Sequence, residues 1–453
     1  MLDVLRAALG GERAWVVGGA LRDRLLGRPT DDLDVALDGN PRRAAQALRA
    51  AAGGAAFPLG DTYGGWRVVG PQRTWHVDLL PLTGGTLEAD LAARDFTVNA
   101  MAEPIAGGEV IDPHGGVADI AARRLRAVGP EAFAADPLRV LRAVRLAAEL
   151  GFTVDAGTLA AAREHAPGLA RTAAERIFSE LKRIVGAPQP ADALKLMEDA
   201  GATAVVLPEL LALHEVEQSV YHHADVHEHT LDVLEAVAAL ERDEPDPRVR
   251  EDLAAPVADD LSRWHSMRFA ALLHDIAKPQ TRGERADGRG VSFVGHDAAG
   301  ATVARDVLRR LRASERLADH VAALTLHHLR LGFLVHERPL SRRSVHRYLQ
   351  ATAPWSVDVT VFTCADRLAT RGRNSEPAIA AHLALAREML EFAFEDPPAQ
   401  PLIRGDELAR ELGIVPGPQL GKLLARLAEA RFTGEIATRA DAIARAREYL
   451  RDG

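Results

Sequence analysis

The stretch Trp15–Leu37, WVVGGALRDRLLGRPTDDLDVAL, decides how the rest of the chain is read. A short apolar run ends at Gly18-Gly19 and passes into a helical segment from about Ala20; a second apolar run then carries Asp32 and Asp34. Residues two apart on a strand share a face, so the two carboxylates point one way while Leu33, Val35 and Leu37 point into a core. Two adjacent acids on a rigid strand suit Mg²⁺, which is usually held by one or two carboxylates together with substrate phosphates. The Gly18-Gly19 turn lets backbone approach a phosphate, and the helix after it, with Arg22 and Asp23, offers free N–H groups. This order outlines a nucleotidyl transfer site; the plainer alternative is a solvated acid pair behind an ordinary strand-turn-helix.

Further along, Pro41–Ala52 reads as an alanine-rich helix, and strands are expected near Trp66–Val69 and Trp75–Leu80 between Gly and Pro punctuation. Asp78 is a third catalytic carboxylate if its strand lies beside the one carrying Asp32 and Asp34, and a strand-end acid in solvent if it does not. In DLAARDFTVNAMAE, from Asp90, Asp95 and Asn99 are four apart on a predicted helix, with Arg94 beside them. An acceptor, an amide and a guanidinium grouped in this way suit a ribose hydroxyl and a phosphate. Asp136-Pro137 opens a further helix, closed by Gly151, with Asp136 and Arg139 neighbours on its face and Arg142 and Arg145 continuing the row. An acceptor and a forked donor on a rigid helix can pair with the edge of a base.

These segments resemble, in order, the motifs of the class II tRNA nucleotidyltransferase and poly(A) polymerase family. The resemblance implies an α+β chain, with a mixed-sheet head followed by an all-α neck, and a nucleotide site made of Gly18, Gly19, Arg22, Asp23, Arg94, Asp95, Asn99, Asp136, Arg139 and Arg142. It implies Mg²⁺ on Asp32 and Asp34, CTP and/or ATP as donor, and the tRNA 3′ end as acceptor. Asp95 and Asn99 would select ribose; Asp136 and Arg139 would read the incoming base. Asp112–Val128, DPHGGVADIAARRLRAV, resembles the family's head–neck hinge at Gly115-Gly116, or is a surface turn before a helix. AERIFSELKRI, Ala174–Ile184, resembles a bracing helix in which Glu175, Glu180 and Lys182 are structural. Two positions depart from the pattern: Ala93 replaces an arginine and Ala135 a glutamate. Either these were ion-pair partners lost together, or base selection is altered. Only eleven residues, LLPLTGGTLEA, separate Asp78 from Asp90. That brevity resembles the enzymes that add C alone.

The middle of the chain becomes histidine-rich. His229, His274-Asp275, His296, His327-His328 and Asp366 form a second set, in which imidazoles and carboxylates suit a divalent metal with an open position for water. Their order resembles the HD phosphohydrolase superfamily, which implies a divalent metal on His229, His274, Asp275, His296, His328 and Asp366 and hydrolysis of 2′,3′-cyclic or 2′-phosphates. Lys278 is placed to face a phosphate. Glu241–Asp260, acidic and proline-bearing, reads as an exposed insertion. Near the end, Gly413 and Pro416-Gly417-Pro418 mark a hairpin of helices that either touches the tRNA backbone or simply packs.

The 453 residues allow several domains, expected at 1–130 (head), 131–215 (neck), 216–375 (HD) and 376–453 (helical tail). A net charge of −9 excludes a global basic field, so an RNA surface must be a local arginine patch. The single cysteine, Cys364, rules out a disulfide framework within the chain, and no apolar run reaches the ~18 residues of a membrane span. A cytoplasmic protein is expected, without a membrane partner. Two rivals share parts of the pattern: a poly(A) polymerase, and an HD phosphohydrolase whose head only binds RNA.

Overall fold

A computed structural model describes residues 2–60, 64–218, 224–284, 290–372, 375–395 and 401–451. The chain divides into two compact units, 1–208 and 209–453.

The first unit begins with α1 (Leu2–Leu9), β1 (Ala14–Val17), α2 (Gly18–Leu25), β2 (Asp32–Leu37) and α3 (Pro41–Ala52). β3 (Ala55–Pro58), β4 (Trp66–Val69), β5 (His76–Pro81), α4 (Leu87–Ala92) and β6 (Ala102–Pro104) complete the head. The strands form one mixed sheet in the order β3-β4-β5-β2-β1-β6, with β2 and β5 parallel and the other pairs antiparallel. Alternation sorts the side chains. Leu33, Val35, Leu37, Val68, Val77 and Leu79 join Leu5, Leu9 and Leu48 in the core beneath α1 and α3. On the other face, Trp15, Val17, Ala36 and Ala102 pack on Leu87 and Leu91 of α4, and the acids share that face. Asn40 caps α3 by accepting from Arg43 N, with proline in the first turn, so the predicted bounds of that helix hold.

Two local expectations are corrected. Asp95 is not helical: Thr97–Asn99 is a single 3₁₀ turn, and the tighter winding still brings Asn99 back onto Asp95. The neck helix runs Arg139–Leu150, with Asp136 before it accepting from Leu138 N. Gly115-Gly116 forms a closely packed turn at the start of the helix Gly116–Ala121, the second of the two arrangements expected there. A Cβ on Gly116 would meet the Thr97 carbonyl at 2.2 Å, and Asp112 accepts from both Gly116 N and Val117 N. The fully buried Asp119 locks the same segment by accepting from Thr97 Oγ1, Arg124 and Arg126. Behind the neck helix, Ala174–Val185 is bound through Arg145 Nε to Glu180 at 2.5 Å, the structural role expected of Glu180.

The second unit is helical, with its core around Val233, Leu234, Val237, Leu272, Leu324 and Phe362. Glu241–Asp260 is exposed or half-exposed along most of its length, as expected, but it is not loose: Pro247–Ala254 is a helix with Val249 and Leu253 fully buried. Gly405–Leu412, Pro418–Phe432 and Arg439–Arg451 close a separate small core through Leu408, Leu420, Leu423 and Ile436. Among the described residues no helix is long and apolar enough to cross a membrane.

Candidate active site and metal centre

Strand register assembles the head site. Asp34 and Asp78 are Cα partners across the parallel β2/β5 pair, and Arg67 is the partner of Asp78 across β4/β5. The strand of Asp78 does lie beside that of Asp32 and Asp34, the placement expected of it. Burial pushes the Asp34 carboxyl up; Arg94 opposes this, while Asp78 and Asp32 add to it. His76 Nδ1 lies 2.6 Å from Asp32, and Arg67 donates to both oxygens of Asp78, Nε at 2.6 Å and Nη2 at 2.7 Å. Neither His76 nor Arg67 was singled out in the sequence; both are visible there only as alternating neighbours of an acid or of a strand core.

Gly18 has φ +71°, and a Cβ on it would lie 3.0 Å from both Asp34 Oδ2 and Arg94 Nη1. Only glycine leaves that space open. Arg94 is held by Asp90, and five of the other predicted nucleotide-site residues, Arg22, Asp23, Asn99, Asp95 and Arg142, form one hydrogen-bonded chain. Arg22 donates to Asp23 through Nε and Nη2 and to Asn99 Oδ1 through Nη1 at 2.7 Å. Asn99 Nδ2 donates to Asp95 Oδ1 at 3.0 Å, and Arg142 donates to Asp95 Oδ2 through Nε at 2.9 Å and Nη2 at 2.6 Å. Burial opposes the charge on Asp95, but Arg142, Asn99 and Phe96 N–H together hold its carboxyl below the ordinary range.

The base-reading pair sits differently from the expectation. Arg139 donates to the carbonyls of Ala93 at 2.7 Å, Arg94 at 3.0 Å and Ala132 at 3.2 Å, while Asp136 Oδ2 accepts from Arg176 at 2.7 Å. Both side chains are therefore engaged with protein and not presented to a base. The same guanidinium ties the Ala93 segment to the short helix Ala132–Ala135, so the two departures from the family pattern lie on segments that meet through Arg139.

In the second unit the six predicted metal residues converge. Asp275 is central: Oδ2 lies 3.1 Å from His274 Nε2 and 3.8 Å from His229 Nε2, while Oδ1 lies 3.3 Å from His296 Nε2 and 3.9 Å from His328 Nε2. Asp366 joins through His229 at 3.1 Å. The Nδ1 atoms of His274, His296 and His328 face the carbonyls of Ala271, Phe293 and Thr325 at 2.9, 2.7 and 2.6 Å. A carbonyl only accepts, so each Nδ1 carries the proton and, in the neutral ring, each Nε2 presents a lone pair to the centre. Two such lone pairs, on His296 and His328, stand 3.2 Å apart. Buried His274 Nε2 and Asp275 Oδ1 make no hydrogen bond of good geometry. Converging lone pairs and orphaned buried polar atoms are the signature of a cation site. Burial, with His274 nearby, pushes His328 down to about 4, keeping it neutral, while burial of Asp366 is outweighed by His229 and its carboxyl is lowered. Lys278 is not free for a phosphate: Nζ lies 2.6 Å from Asp275 Oδ2 and donates to Gln218 Oε1 at 2.6 Å.

A buried relay sets three of the helices that carry these ligands. Ser266 Oγ donates to His320 Nδ1 at 2.6 Å, and His320 Nε2 donates to Asp358 Oδ1 at 2.9 Å, with Arg263 paired to the same carboxylate. Ser266, His320 and Asp358 are fully buried, so this Ser-His-Asp order meets no substrate. Each member precedes a ligand by eight residues: Ser266 and His274, His320 and His328, Asp358 and Asp366. Two turns of helix separate tie from ligand in every case.

Comparison with known proteins agrees with this division. The family model described as the poly A polymerase head domain matches residues 14–76 and 70–126, that for a probable RNA and SrmB-binding site of polymerase A matches 151–213, and that for the HD domain matches 226–370. The A-adding tRNA nucleotidyltransferase of Deinococcus radiodurans is 37% identical over 94% of this chain and 93% of its own. The CC-adding tRNA nucleotidyltransferase of Thermus thermophilus is also 37% identical, over 95% of this chain and 92% of its own. Among solved structures, the Bacillus stearothermophilus CCA-adding enzyme in complex with CTP superposes with a TM-score of 0.67 at 24% identity, covering 100% of this chain and 97% of that one. Alignment over nearly the whole length, with the acid register and the histidine centre in place, identifies the chain as a member of the tRNA nucleotidyltransferase family, a nucleotidyltransferase with a poly(A) polymerase type head and an HD domain.

Proposed function

We propose that the protein transfers cytidylyl units from CTP to the 3′ end of tRNA, and that its specificity is CC addition. The observation that carries the transferase reading is the alignment of Asp32, Asp34 and Asp78 on one sheet face beside Gly18. Asp34, buried among other acids and raised, fits a cation ligand. Mg²⁺ held by Asp32 and Asp34 would neutralise the triphosphate and make the primer hydroxyl more acidic. In the transfer, the primer 3′-oxygen bonds to the α-phosphorus as the bond from that phosphorus to the β-phosphate oxygen breaks. Pyrophosphate leaves with the electron pair, and the hydroxyl proton passes to water.

Arg22, Asp95, Asn99 and Arg142, already bonded to one another, form a fixed frame for the ribose. Asp136 and Arg139 would exchange their protein partners for a base edge on nucleotide binding. Groups left unpaired by a wrong base cost about 1–3 kcal/mol each. The CC reading rests on the link from β5 to α4. It is a 3₁₀ turn at Thr83–Gly85, an N-cap at Thr86 and a bond from Thr83 N to Asp90, with no length left to sweep the pocket.

The histidine centre supports a second activity, hydrolysis of 2′,3′-cyclic or 2′-phosphates, since a divalent ion there would acidify a water molecule. Incubating the protein with tRNA ending at the discriminator base and with single nucleotides tests the reading. Two added C residues and a stop are expected. Full CCA, long A tails, or phosphate release without addition would each assign a different activity.

A further inference from the structure

The two oxygens of Asp275 have different surroundings. Oδ1 faces His296 and His328 and is buried without a hydrogen bond of good geometry. Oδ2 meets the Lys278 ammonium at 2.6 Å, with the Nε2 atoms of His274 and His229 at 3.1 and 3.8 Å. His229, His274 and Asp275 form one of the two three-residue ligand groups that share this aspartate. A lysine therefore already brings positive charge to atoms arranged to receive a divalent ion.

Local structure seats that ammonium. Lys278 lies three residues past Asp275, its N–H donating to the Asp275 carbonyl at 2.9 Å, so one turn of chain returns the side chain to the carboxylate. Nζ also donates to Gln218 Oε1 at 2.6 Å and lies 5.5 Å from the centre of the Phe293 ring. An ammonium has three protons and no lone pair, and carboxylate, amide oxygen and ring face suit all three. Gln218 is itself fixed, because its Nε2 donates to the Asp225 carbonyl at 3.2 Å and so sets Oε1 toward the lysine. The Lys278 side chain is only 9% exposed, which leaves these groups and not water to hold its charge. Of its two polar anchors, only Asp275 belongs to the ligand set. Gln218 remains when that carboxylate is claimed by a metal. A divalent ion on Oδ2 would stand beside Nζ, and like charges so close in a buried site repel strongly.

We propose that Lys278 is an exchangeable internal cation of the histidine centre: it neutralises Asp275 while no divalent ion is bound, and on metal binding it releases Oδ2, keeps Gln218 Oε1 and turns the freed proton to a phosphate oxygen of the substrate. Lys278 thereby holds down the affinity of the centre for metal. Gln218 is the positioning residue that makes the release possible. The inference rests on the phosphohydrolase reading above.

The test is calorimetric titration of the full chain with Mn²⁺, in an Asp32→Asn/Asp34→Asn background that removes the head acids from the measurement. Lys278→Met keeps the stem and deletes the charge; it should bind manganese about tenfold more tightly, on the scale of a coupling between two sites. Gln218→Leu should do the opposite, because a lysine left with Asp275 alone is harder to displace. The double variant should bind like Lys278→Met. Equal or weaker binding by Lys278→Met would overturn the inference, since a lysine that merely props Asp275 gives that result. Tighter binding by Gln218→Leu would overturn it as well. No manganese bound at the histidine centre by parent or variants would instead sink the reading on which it rests.

Two further measurements separate exchange from packing. Without metal, Lys278→Met should unfold at a lower temperature than the parent, and saturating manganese should close most of that gap; a gap of the same size in both conditions would contradict exchange. With manganese saturating, Lys278→Met should raise KM for a 2′,3′-cyclic nucleotide about tenfold, the scale of one charge-assisted hydrogen bond. An unchanged KM would overturn the role given to the freed ammonium.

Discussion

The head and the histidine centre hold acids in opposite ways. In the head, carboxylates are set side by side by strand register; the Asp32 side chain is 69% exposed, and Asp34 is left with its charge disfavoured. In the second unit, His229, His274, Asp275, His296 and His328 are all buried, and the carboxyls of Asp275 and Asp366 lie below the ordinary range in spite of burial, Asp275 mainly through His274 and Lys278 and Asp366 mainly through His229. One site stores uncompensated negative charge on an open face, as suits a visiting nucleotide with its ion. The other is closed, its carboxylates ringed by imidazoles, as suits a resident metal.

Separate removal of each centre is the strongest way to break that contrast. Asp34→Ala should lower nucleotide addition at least about a thousandfold and leave ring opening of a 2′,3′-cyclic nucleotide unchanged. Asp275→Ala should do the reverse, and a chelator should lower the thermal midpoint of the parent more than that of Asp275→Ala. If either substitution silenced both assays, the two sites would not be independent centres.

A smaller effect separates the frame of the head from its acids. Arg142→Met leaves buried Asp95 without its forked partner, which costs about 3–5 kcal/mol in denaturant unfolding. Adding Asp95→Asn should recover most of that loss, because the stranded charge and not the missing contact is the larger part. A double variant as unstable as Arg142→Met alone would refute this account.

Legibility in the sequence followed the range of the interaction. Asp32 and Asp34 declared their shared face through the two-residue period, and the expected strand at Asp78 was enough to align it. Likewise His229, His274, Asp275, His296, His328 and Asp366 were found because their order is itself a pattern. The fork from Arg67 was not, since it depends on a cross-strand register that no spacing along one strand reveals. Val249 and Leu253, four apart, did carry a helical signal, but the acids and prolines around them dominated the reading of that stretch. Glycine at Gly115-Gly116 announced an unusual conformation without saying whether it served motion or close packing.

The Ser266–His320–Asp358 relay was invisible for the same reason as Arg67, and it sharpens the comparison: sheet register performs in the head what a side-chain tie performs among helices. Ser266→Ala should cost about 1 kcal/mol in stability and weaken manganese binding at the histidine centre by up to about tenfold, the scale for supports behind a ligand. Titration calorimetry would show it. Unchanged affinity with lost stability would reduce the tie to packing alone.

The smallest expected effect has an unusual sign. Asp34→Asn, measured without metal, should raise the unfolding midpoint at pH 7. The folded-state pKa of Asp34 lies above its unfolded value, mainly through burial and then through Asp78 and Asp32, so the fold disfavours its ionised form. That penalty is full above the folded pKa, shrinks as pH falls through it, and is gone below the unfolded value of about 3.9. The gain from asparagine should therefore be present at pH 7 and absent at pH 3. Asp95→Asn should behave in reverse. Its carboxyl is depressed in the fold, so the native charge stabilises above about pH 3.9 and the substitution lowers the midpoint at pH 7. Midpoints followed against pH for the two variants would cross the parent's in opposite directions if one acid awaits a cation and the other already has one. Curves that moved together would remove the distinction between them.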